Sequence, residues 1–162
     1  MQSRRRLSAA AHFLWVTMIN IIEKFKDQPA VSFDFHDTIT MPVWSEKDGM
    51  WVSSFNPNEA IIEEMYRYKC LGWRVYIIHP RQKNNTNVRN FEWFLRENGL
   101  KELIDGKIVY SEEFEKYTQL KNIPNLRIHY DDEAYELELL PPKVMGVKVF
   151  HPGDARTRKI LS

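Results

Sequence analysis

The sequence has very little cysteine and no excess of charge of either sign. Cys70 is the only cysteine among 162 residues, which excludes an intrachain disulfide framework and any multi-cysteine zinc site. The 23 basic and 22 acidic side chains leave a formal net charge of +1. This argues against a protein dedicated to coating nucleic acid, but it is compatible with a local basic patch. Apolar residues make up 43% of the chain and charged residues 28%, which is typical of one soluble globular domain.

The chain also lacks an unbroken hydrophobic run that could span a membrane. The mostly apolar segment after three N-terminal arginines looks superficially like a signal or transit peptide. It is a poor membrane span because it is interrupted by His12, Thr17 and Asn20. We assign residues 1–29 to a helical N-terminal extension. Met18 begins a compact, natural-looking start, so residues 1–17 are interpreted either as part of that extension or as the product of a misassigned start. We therefore expect a cytoplasmic protein with no membrane partner.

Apolar runs of strand length alternate with segments of helical periodicity through the rest of the chain. The predicted strands cover residues 30–35, 74–79, 107–110, 126–130 and 147–150. The predicted helices cover residues 56–72, 84–98, 112–121 and 133–140. This alternation indicates an α/β fold, a three-layer Rossmann-like parallel sheet of about five strands with helices on both faces. In such sheets the site lies beyond the C-terminal ends of the strands.

A polar and aromatic segment after the first predicted strand indicates a β-hairpin. Asp48-Gly49 is typical of a tight turn, because this pair readily adopts positive φ. Asn56-Pro57 predicts the start of the next helix, since Asn caps free amides and Pro suits the first turn. We assign residues 40–56 to a hairpin flap on a core of residues 30–152, followed by a C-terminal tail at 153–162.

Three aromatic side chains flank the predicted turn: Trp44, Trp51 and Phe55. They allow two interpretations, and both stay open. In the first, they pack the hairpin onto the domain or onto a partner in a homo-oligomer. In the second, the flap lies over the site and stacks on a base or another flat group.

Polar side chains follow the predicted strands at the edge where the site is expected. They are Asp34, His36, Asp37 and Thr38 after the first strand, His79 and Arg81 after the second, and Asp131 and Asp132 after the fourth. Carboxylates gathered there without a cation would raise one another's pKa. A Mg²⁺ ion would resolve this, because it prefers oxygen ligands. A carboxylate beside such an ion can attack phosphorus and form an aspartyl-phosphate.

The segment VSFDFHDTIT at residues 31–40 resembles the first motif of the haloacid dehalogenase-like superfamily of phosphatases. YIIHPR at 76–81 lies at the position of the second motif, and IHYDDEAYE at 128–136 resembles the acidic fourth motif. The resemblance covers about residues 30–150, with the motifs in the expected order. About 45 residues separate Asp34 from His79, which implies a small-capped member. Such relatives act on large or exposed phosphoesters, or close their sites by oligomerising.

The resemblance implies a role for each acidic residue of these motifs. Asp34 would be the nucleophile and a ligand of Mg²⁺. Asp132, with Asp131 beside it, would supply the second carboxylate ligand, and Glu136 would hold metal-bound water. Mn²⁺ and Zn²⁺ are alternatives for the metal.

The resemblance also implies residues that contact the phosphate. Lys116 is our choice for the lysine that offsets phosphate charge, with Lys121 as the alternative. Thr38 fits the motif threonine and would bind substrate. Arg81, which opens the loop after the second strand, would also bind substrate phosphate.

Two histidines depart from the family pattern. His36 stands where a second aspartate usually acts as general acid and base. Its carbonyl could still ligate the metal, and its imidazole could protonate a leaving oxygen. His79 stands where a hydroxyl usually contacts the phosphate, and we expect the two histidines to lie close together.

These departures leave two functions open. The first is a Mg²⁺-dependent phosphomonoester hydrolase, with a nucleotide or a nucleic-acid end as the leading substrate. The alternative is a catalytically impaired relative that serves as a metal-binding, phosphate-binding or interaction module.

Overall fold

The computed structural model describes residues 27–80, 85–110 and 113–151. Its elements in chain order are β1 (Ala30–Asp34), β2 (Thr40–Ser45), β3 (Met50–Pro57), α1 (Glu59–Cys70), β4 (Arg74–Pro80), α2 (Asn85–Glu97), β5 (Gly106–Tyr110), α3 (Glu113–Lys121), β6 (Leu126–Asp131), α4 (Ala134–Glu138) and β7 (Met145–Lys148). The helix predicted before residue 27, Met18 and the tail at 153–162 lie outside the described residues. Within the described ranges, no helix has both the length and the apolar character needed to cross a membrane.

Five strands form one parallel sheet in the order β5-β4-β1-β6-β7. This confirms the predicted α/β fold. β1 lies at the centre of the sheet, and all five of its residues are buried. The chain runs outward from β1 through β4 to β5 and then crosses to β6 on the other side of β1. The order therefore reverses between β1 and β6, which is where open α/β sheets form their binding crevice.

The two faces of β1 carry different chemistry because successive side chains of a strand point to opposite sides. Val31 and Phe33 belong to the larger apolar cluster, which includes Met65 of α1 and Phe94 of α2. Ala30 belongs to a smaller cluster with residues of β4, α3 and β6. Asp34 lies four residues after Ala30 on β1, so the two side chains point to the same face of the sheet. This is the face covered by α3.

The predicted hairpin is present as the antiparallel pair β2 and β3. Gly49 has φ of +61°, and its amide donates to the carbonyl of Ser45 at 2.8 Å. Positive φ is the conformation for which glycine is preferred in such a turn. The turn therefore lies where the sequence predicts it.

The helix after the hairpin begins later than predicted. Asn56 and Pro57 pair with Met41 and Thr40 in the hairpin, so they extend β3 instead of opening α1. Asn58 precedes the helix, and its side-chain amide donates to the carbonyl of Thr38 at 3.0 Å. The Asn-Pro signal was wrong by two residues because strand pairing holds Asn56 and Pro57 in the hairpin.

The last strand also begins earlier than predicted, at Met145 instead of residue 147. Met145 and Gly146 pair with Ile128 and His129 of β6. A side chain at Gly146 would lie within about 3.0 Å of side-chain atoms of Leu137 and Leu140. The glycine that weakens the strand signal in the sequence therefore allows α4 and the turn after it to pack closely on β7.

Candidate active site

Three aspartates meet at the C-terminal ends of β1 and β6. Asp34 ends β1, Asp131 ends β6 and Asp132 follows it. One carboxylate oxygen from each lies within 4.8 Å of the others. Because β1 and β6 are neighbours in the sheet, backbone hydrogen bonding fixes the separation of Asp34 and Asp131. The sequence predicted this convergence from strand ends alone.

Lys116 of α3 enters this cluster from the covering helix layer. Its side chain is only 2% exposed, and Nζ donates to Oδ1 of Asp34 at 3.2 Å. The same ammonium group forms close contacts with carboxylate oxygens of Asp131 and Glu136. Lys121, the alternative lysine, is exposed and lines a cavity near the start of β6. Lys116 is therefore the lysine that the fold brings to the aspartates.

His129 connects the cluster to the interior of the sheet. It is fully buried, with Nδ1 2.8 Å from Oγ of Ser32 and Nε2 3.1 Å from Oδ2 of Asp131. Burial lowers the pKa of His129, so its ring is neutral at physiological pH. A carboxylate only accepts hydrogen bonds, so Nε2 donates to Asp131 and Nδ1 accepts from the Ser32 hydroxyl. His129 and Asp131 lie two positions apart on β6, the spacing that places both on one face.

The acidic groups of the cluster differ in the direction of their pKa shifts: the pKa is raised for three of them and lowered for the fourth. The first three are Asp34, Asp132 and Glu136, and the fourth is Asp131. Burial raises the pKa of Asp34 well above its usual range; Lys116 opposes this shift, while Asp131 and Asp132 add to it. Burial and the neighbouring Asp131 raise the pKa of Asp132 to about 6. Burial and a hydrogen bond with Asp131 raise the pKa of Glu136 to about 7. Asp131 behaves oppositely. Burial alone would raise its pKa, but the His129 hydrogen bond and the charge of Lys116 lower it.

A cavity of about 160 Å³ opens beside Asp34. Its lining among the described residues is Asp34, His36, Asp37, Lys116, Asp131, Asp132, Glu133 and Glu136. Six of these side chains are carboxyl groups and one is a lysine. Carboxylates in such excess repel one another unless a cation or protons offset their charge. Burial and this repulsion act in the same direction, and both raise the pKa values of Asp34, Asp132 and Glu136. All-oxygen donors of this kind fit Mg²⁺.

The loop Phe35–Ile39 carries a further carboxylate to the cavity. Asp37 has φ of +55°, a left-handed conformation that aspartate tolerates better than most residues. Its amide donates to Oγ1 of Thr40 at 3.0 Å, and its Oδ2 accepts from the hydroxyl of Ser53 on β3 at 2.7 Å. The hairpin is thereby attached at the rim of the cavity. The sequence places Asp37 at this strand end but indicates no role for it, because a left-handed loop has no simple periodic signal.

His36 and His79 lie close together, as expected. Their ring centroids are 5.0 Å apart, and the ring of His79 stacks on Phe35 at 4.7 Å. Phe55 and Phe91 also contact this pair. Both ring nitrogens of His36 are shielded from solvent. The histidine pair is therefore part of an aromatic cluster on the β4 side of Asp34.

Two other predicted substrate contacts, Thr38 and His79, do not line the cavity in the part of the chain that the structure describes. Thr38 is fully buried, and its carbonyl accepts from Asn58. Arg81 lies outside the described residues. These predicted roles stay predictions.

A second, larger cavity lies near the N-terminal end of β6. It has a volume of about 380 Å³, and its lining includes Lys121, Asn125, Arg127 and Lys143. It contains none of the carboxylates described above. The carboxylate cluster and this second cavity therefore lie at different ends of the sheet.

No protein-family model matches the sequence, and no curated protein matches it. Among solved structures, the fold is similar to a chain in the structure of the Pnkp1/Rnl/Hen1 complex, with a TM-score of 0.55 over 77% of this chain and 47% of that chain. It is also similar to a chain in the structure of the Pnkp1/Rnl/Hen1 RNA repair complex, with a TM-score of 0.56 over 94% of this chain and 59% of that chain. Sequence identity is 15% in both cases. The likeness establishes the fold alone, and this chain spans less than two thirds of either neighbour.

Proposed function

We propose that the protein is a Mg²⁺-dependent phosphomonoester hydrolase that acts through an aspartyl-phosphate on Asp34. The observation that carries the proposal is the contact of buried Lys116 with Asp34 and Asp131 at adjacent strand ends. The resemblance of residues 31–40 and 128–136 to haloacid dehalogenase-like motifs supports the same chemistry. The fold shared with chains of an RNA repair complex favours a nucleic-acid end or a nucleotide as the source of the phosphate.

The metal would be held by Asp34, Asp131 and Asp132, whose oxygens lie within 4.8 Å of one another. Six carboxyl groups around one lysine make a cation the simplest way to offset the charge of the cavity. The donor set contains oxygen but neither thiolate nor an imidazole nitrogen, which favours Mg²⁺ or Mn²⁺ over Zn²⁺. When bound, the ion would supply electrostatic stabilisation of the phosphate oxygens.

Asp34 is the proposed nucleophile because it ends the central strand with its carboxylate directed into the cavity. One of its oxygens attacks phosphorus, the bond from phosphorus to the ester oxygen breaks, and the leaving oxygen takes a proton. Water then hydrolyses the aspartyl-phosphate and regenerates the carboxylate. Lys116 favours the ionised form of Asp34 and is positioned to offset charge that develops on the phosphoryl group.

Two residues are candidates for moving the proton. His36 is the sequence-based choice, but both of its ring nitrogens are shielded from solvent. Asp37 lines the cavity and accepts a hydrogen bond from Ser53. If Asp37 moves the proton, Asp37→Asn should lower kcat by about 100-fold or more, whereas His36→Asn should have a much smaller effect. The reverse order would favour His36.

The central test is Asp34→Asn. This substitution keeps the size of the side chain but removes the nucleophile, so Mg²⁺-dependent release of phosphate from an aryl phosphate should disappear. Glu97→Gln is the matched control, because Glu97 is exposed on α2 and should behave as wild type. Absence of turnover by wild type with Mg²⁺, Mn²⁺ and Zn²⁺, across nucleotides and 3′- or 5′-phosphorylated oligonucleotides, would rule out the proposal.

The second candidate function is a metal-binding or phosphate-binding module without turnover. The observation that favours it is the packing of His36 and His79 in an aromatic cluster, where the family usually has an acid and a hydroxyl. The double variant His36→Asp with His79→Thr separates the two functions. A gain of activity from a silent wild type would indicate an impaired site, whereas loss of existing activity would indicate that the histidines serve the reaction.

A further inference from the structure

We propose that Trp44 and Trp51 form a stacking site for the nucleobase next to the phosphate of a nucleic-acid end. The inference rests on the proposed function, because it identifies what lies outside the cavity when a phosphate is inside it. It assigns the exposed face of the hairpin a ligand of one chemical class, a planar base.

The first observation is the size of the cavity. About 160 Å³ corresponds to roughly five water molecules at liquid density. This volume can accept a phosphoryl group with an ion and some water. In the part of the chain that the structure describes, it does not also enclose a nucleoside, since pockets that enclose drug-sized ligands start at about 300 Å³. The rest of the substrate must therefore lie outside the cavity, against the surface at its rim.

The second observation is what forms that rim. The hydroxyl of Ser53 donates to Asp37, which lines the cavity. Trp51 lies two residues before Ser53 on β3, about 7 Å further along the strand. The pairing of the hairpin is irregular between Val52 and Asn56, but Trp51 and Ser53 are both exposed and Val52 between them is half-buried. This pattern places the side chains of Trp51 and Ser53 on the same side of β3. A nucleoside attached to a phosphate in the cavity can span this separation.

The third observation is the exposure of the tryptophan pair. Trp44 is the cross-strand partner of Trp51, and their ring centroids lie 5.8 Å apart at an interplanar angle of 72°. Trp44 is 53% exposed and Trp51 is 36% exposed. An edge-to-face pair leaves ring surface open for a third flat group. Each base stacked on an aromatic side chain strengthens binding without sequence preference.

The charge of the turn limits how much nucleic acid the hairpin can contact. The turn carries Glu46, Lys47 and Asp48, all of them exposed. Two acids and one base do not favour a long phosphate backbone along the hairpin. The hairpin is therefore suited to one terminal base, and binding should depend only weakly on salt.

The test measures binding and does not require turnover. The probes are four-nucleotide RNAs whose 5′ or 3′ end carries a non-hydrolysable phosphonate, each made with a terminal base and in an abasic form. Fluorescence anisotropy of a dye on the opposite end of each RNA, measured in the presence of Mg²⁺, gives the Kd values without relying on the tryptophans themselves. Wild type should bind the probe with a terminal base about 5- to 150-fold more tightly than the abasic probe. The preferred end identifies the substrate as a 5′ or 3′ phosphate.

Variants of the hairpin make the test specific. Trp44→Ala and Trp51→Ala should each reduce the preference for the terminal base, and Trp51→Phe should retain most of it. Trp93→Ala is the matched control, since Trp93 is 49% exposed on α2 and should keep the full preference. Equal binding of both probes by wild type, or an unchanged preference in Trp44→Ala and Trp51→Ala, would overturn the inference.

Two further outcomes separate this inference from the proposed function. Hydrolysis of an aryl phosphate without any base preference would overturn the stacking site but leave the hydrolase intact. A base preference without hydrolysis would support the stacking site and rule out the hydrolase. A wild-type dimer that Trp44→Ala converts to monomers, in sedimentation at the same concentrations, would assign the tryptophans to self-association and overturn the stacking site.

Discussion

The two strands that flank β1 end in opposite chemistry. On the β6 side, Asp131 belongs to a cluster of carboxylates around Lys116. On the β4 side, His79 belongs to a cluster of aromatic rings around Phe35. Asp34 lies between them, so it has charge on one side and apolar rings on the other. We therefore expect the stability of the charged side to depend on ionisation and on Lys116, whereas that of the aromatic side depends on packing.

Removing Lys116 should have the largest effect on the charged side. Lys116→Met leaves buried Asp34 and Asp131 without their ammonium partner, which should cost about 3–5 kcal/mol in free energy of unfolding. The loss should be smaller at pH 5 than at pH 8, because the carboxyl groups can then take up protons. Urea unfolding at both pH values measures it. Lys121→Met, at an exposed position on the same helix, is the control, and its free energy of unfolding should stay within about 0.5 kcal/mol of wild type. Equal losses of stability in the two variants would contradict the difference described between the two sides of Asp34.

The second-largest expected effect is on the stability of the protein when Mg²⁺ binds to the charged side. The size of this effect should depend on pH. The folded pKa values of Asp132 and Glu136 are raised to about 6 and about 7, above the unfolded values of about 4. At these two groups, the folded state holds more protons than the unfolded state between about pH 4 and pH 7. Asp132 and Glu136 should therefore make the metal-free protein less stable as pH rises through that window. The lowered pKa of His129 opposes this in the lower part of the window, because its unfolded imidazole takes up a proton below about pH 6.5. The lowered pKa of Asp131 acts in the opposite sense, but only at lower pH.

Mg²⁺ should reverse this loss because it replaces the protons. At 100 times its Kd it should add about 2.7 kcal/mol. The shift in Tm on adding Mg²⁺ should be clearly larger at pH 8 than at pH 5 in scanning calorimetry. KCl at the same ionic strength is the control and should give little shift. An equal Mg²⁺-dependent shift at both pH values would argue against an ion among these carboxylates.

The smallest expected effect is a difference in free energy of unfolding between variants of His129, on the charged side, and of His79, on the aromatic side. His129→Phe leaves Ser32 and Asp131 without their hydrogen-bond partner, which should cost about 2 kcal/mol. His79→Phe keeps a flat ring stacked on Phe35, so the aromatic packing is retained and the cost should be lower than that of His129→Phe. Chemical unfolding of both variants at pH 7 measures the difference. Similar costs, or a larger cost at His79, would show that the two sides of Asp34 do not differ as described.

The sequence predicted the sheet because β1 and its neighbours are short apolar runs between amphipathic segments. It also predicted the aspartates, because carboxyl ends of parallel strands share one edge. It failed at Asn56-Pro57, where a local helix signal was overridden by pairing with β2. Cys70 lies in a segment of helical periodicity, which predicts a buried or partly buried thiol, but it is exposed at the last residue of α1. That prediction was wrong because helical periodicity alone does not show where the packed face ends.

Two features of the site had weaker signals. Asp37 reaches the cavity through a left-handed residue, and such a loop depends on one backbone angle that composition does not reveal. His129 contacts Asp131 because both point to one face of β6, a spacing that is visible in the sequence. The sequence does not show that Ser32 lies opposite His129, since that depends on the register between β1 and β6.

The hydrogen bond from Ser53 to Asp37 links the position of the second hairpin strand to the orientation of the Asp37 carboxylate. The tilt of the hairpin and the rotamer of Asp37 share this bond, so a change in one transmits force to the other. A ligand that shifts the outer end of the hairpin would therefore reorient a carboxylate at the cavity, and a charge that forms in the cavity would pull on the hairpin. Substrate engagement and the chemical step would then be timed together through one hydroxyl group.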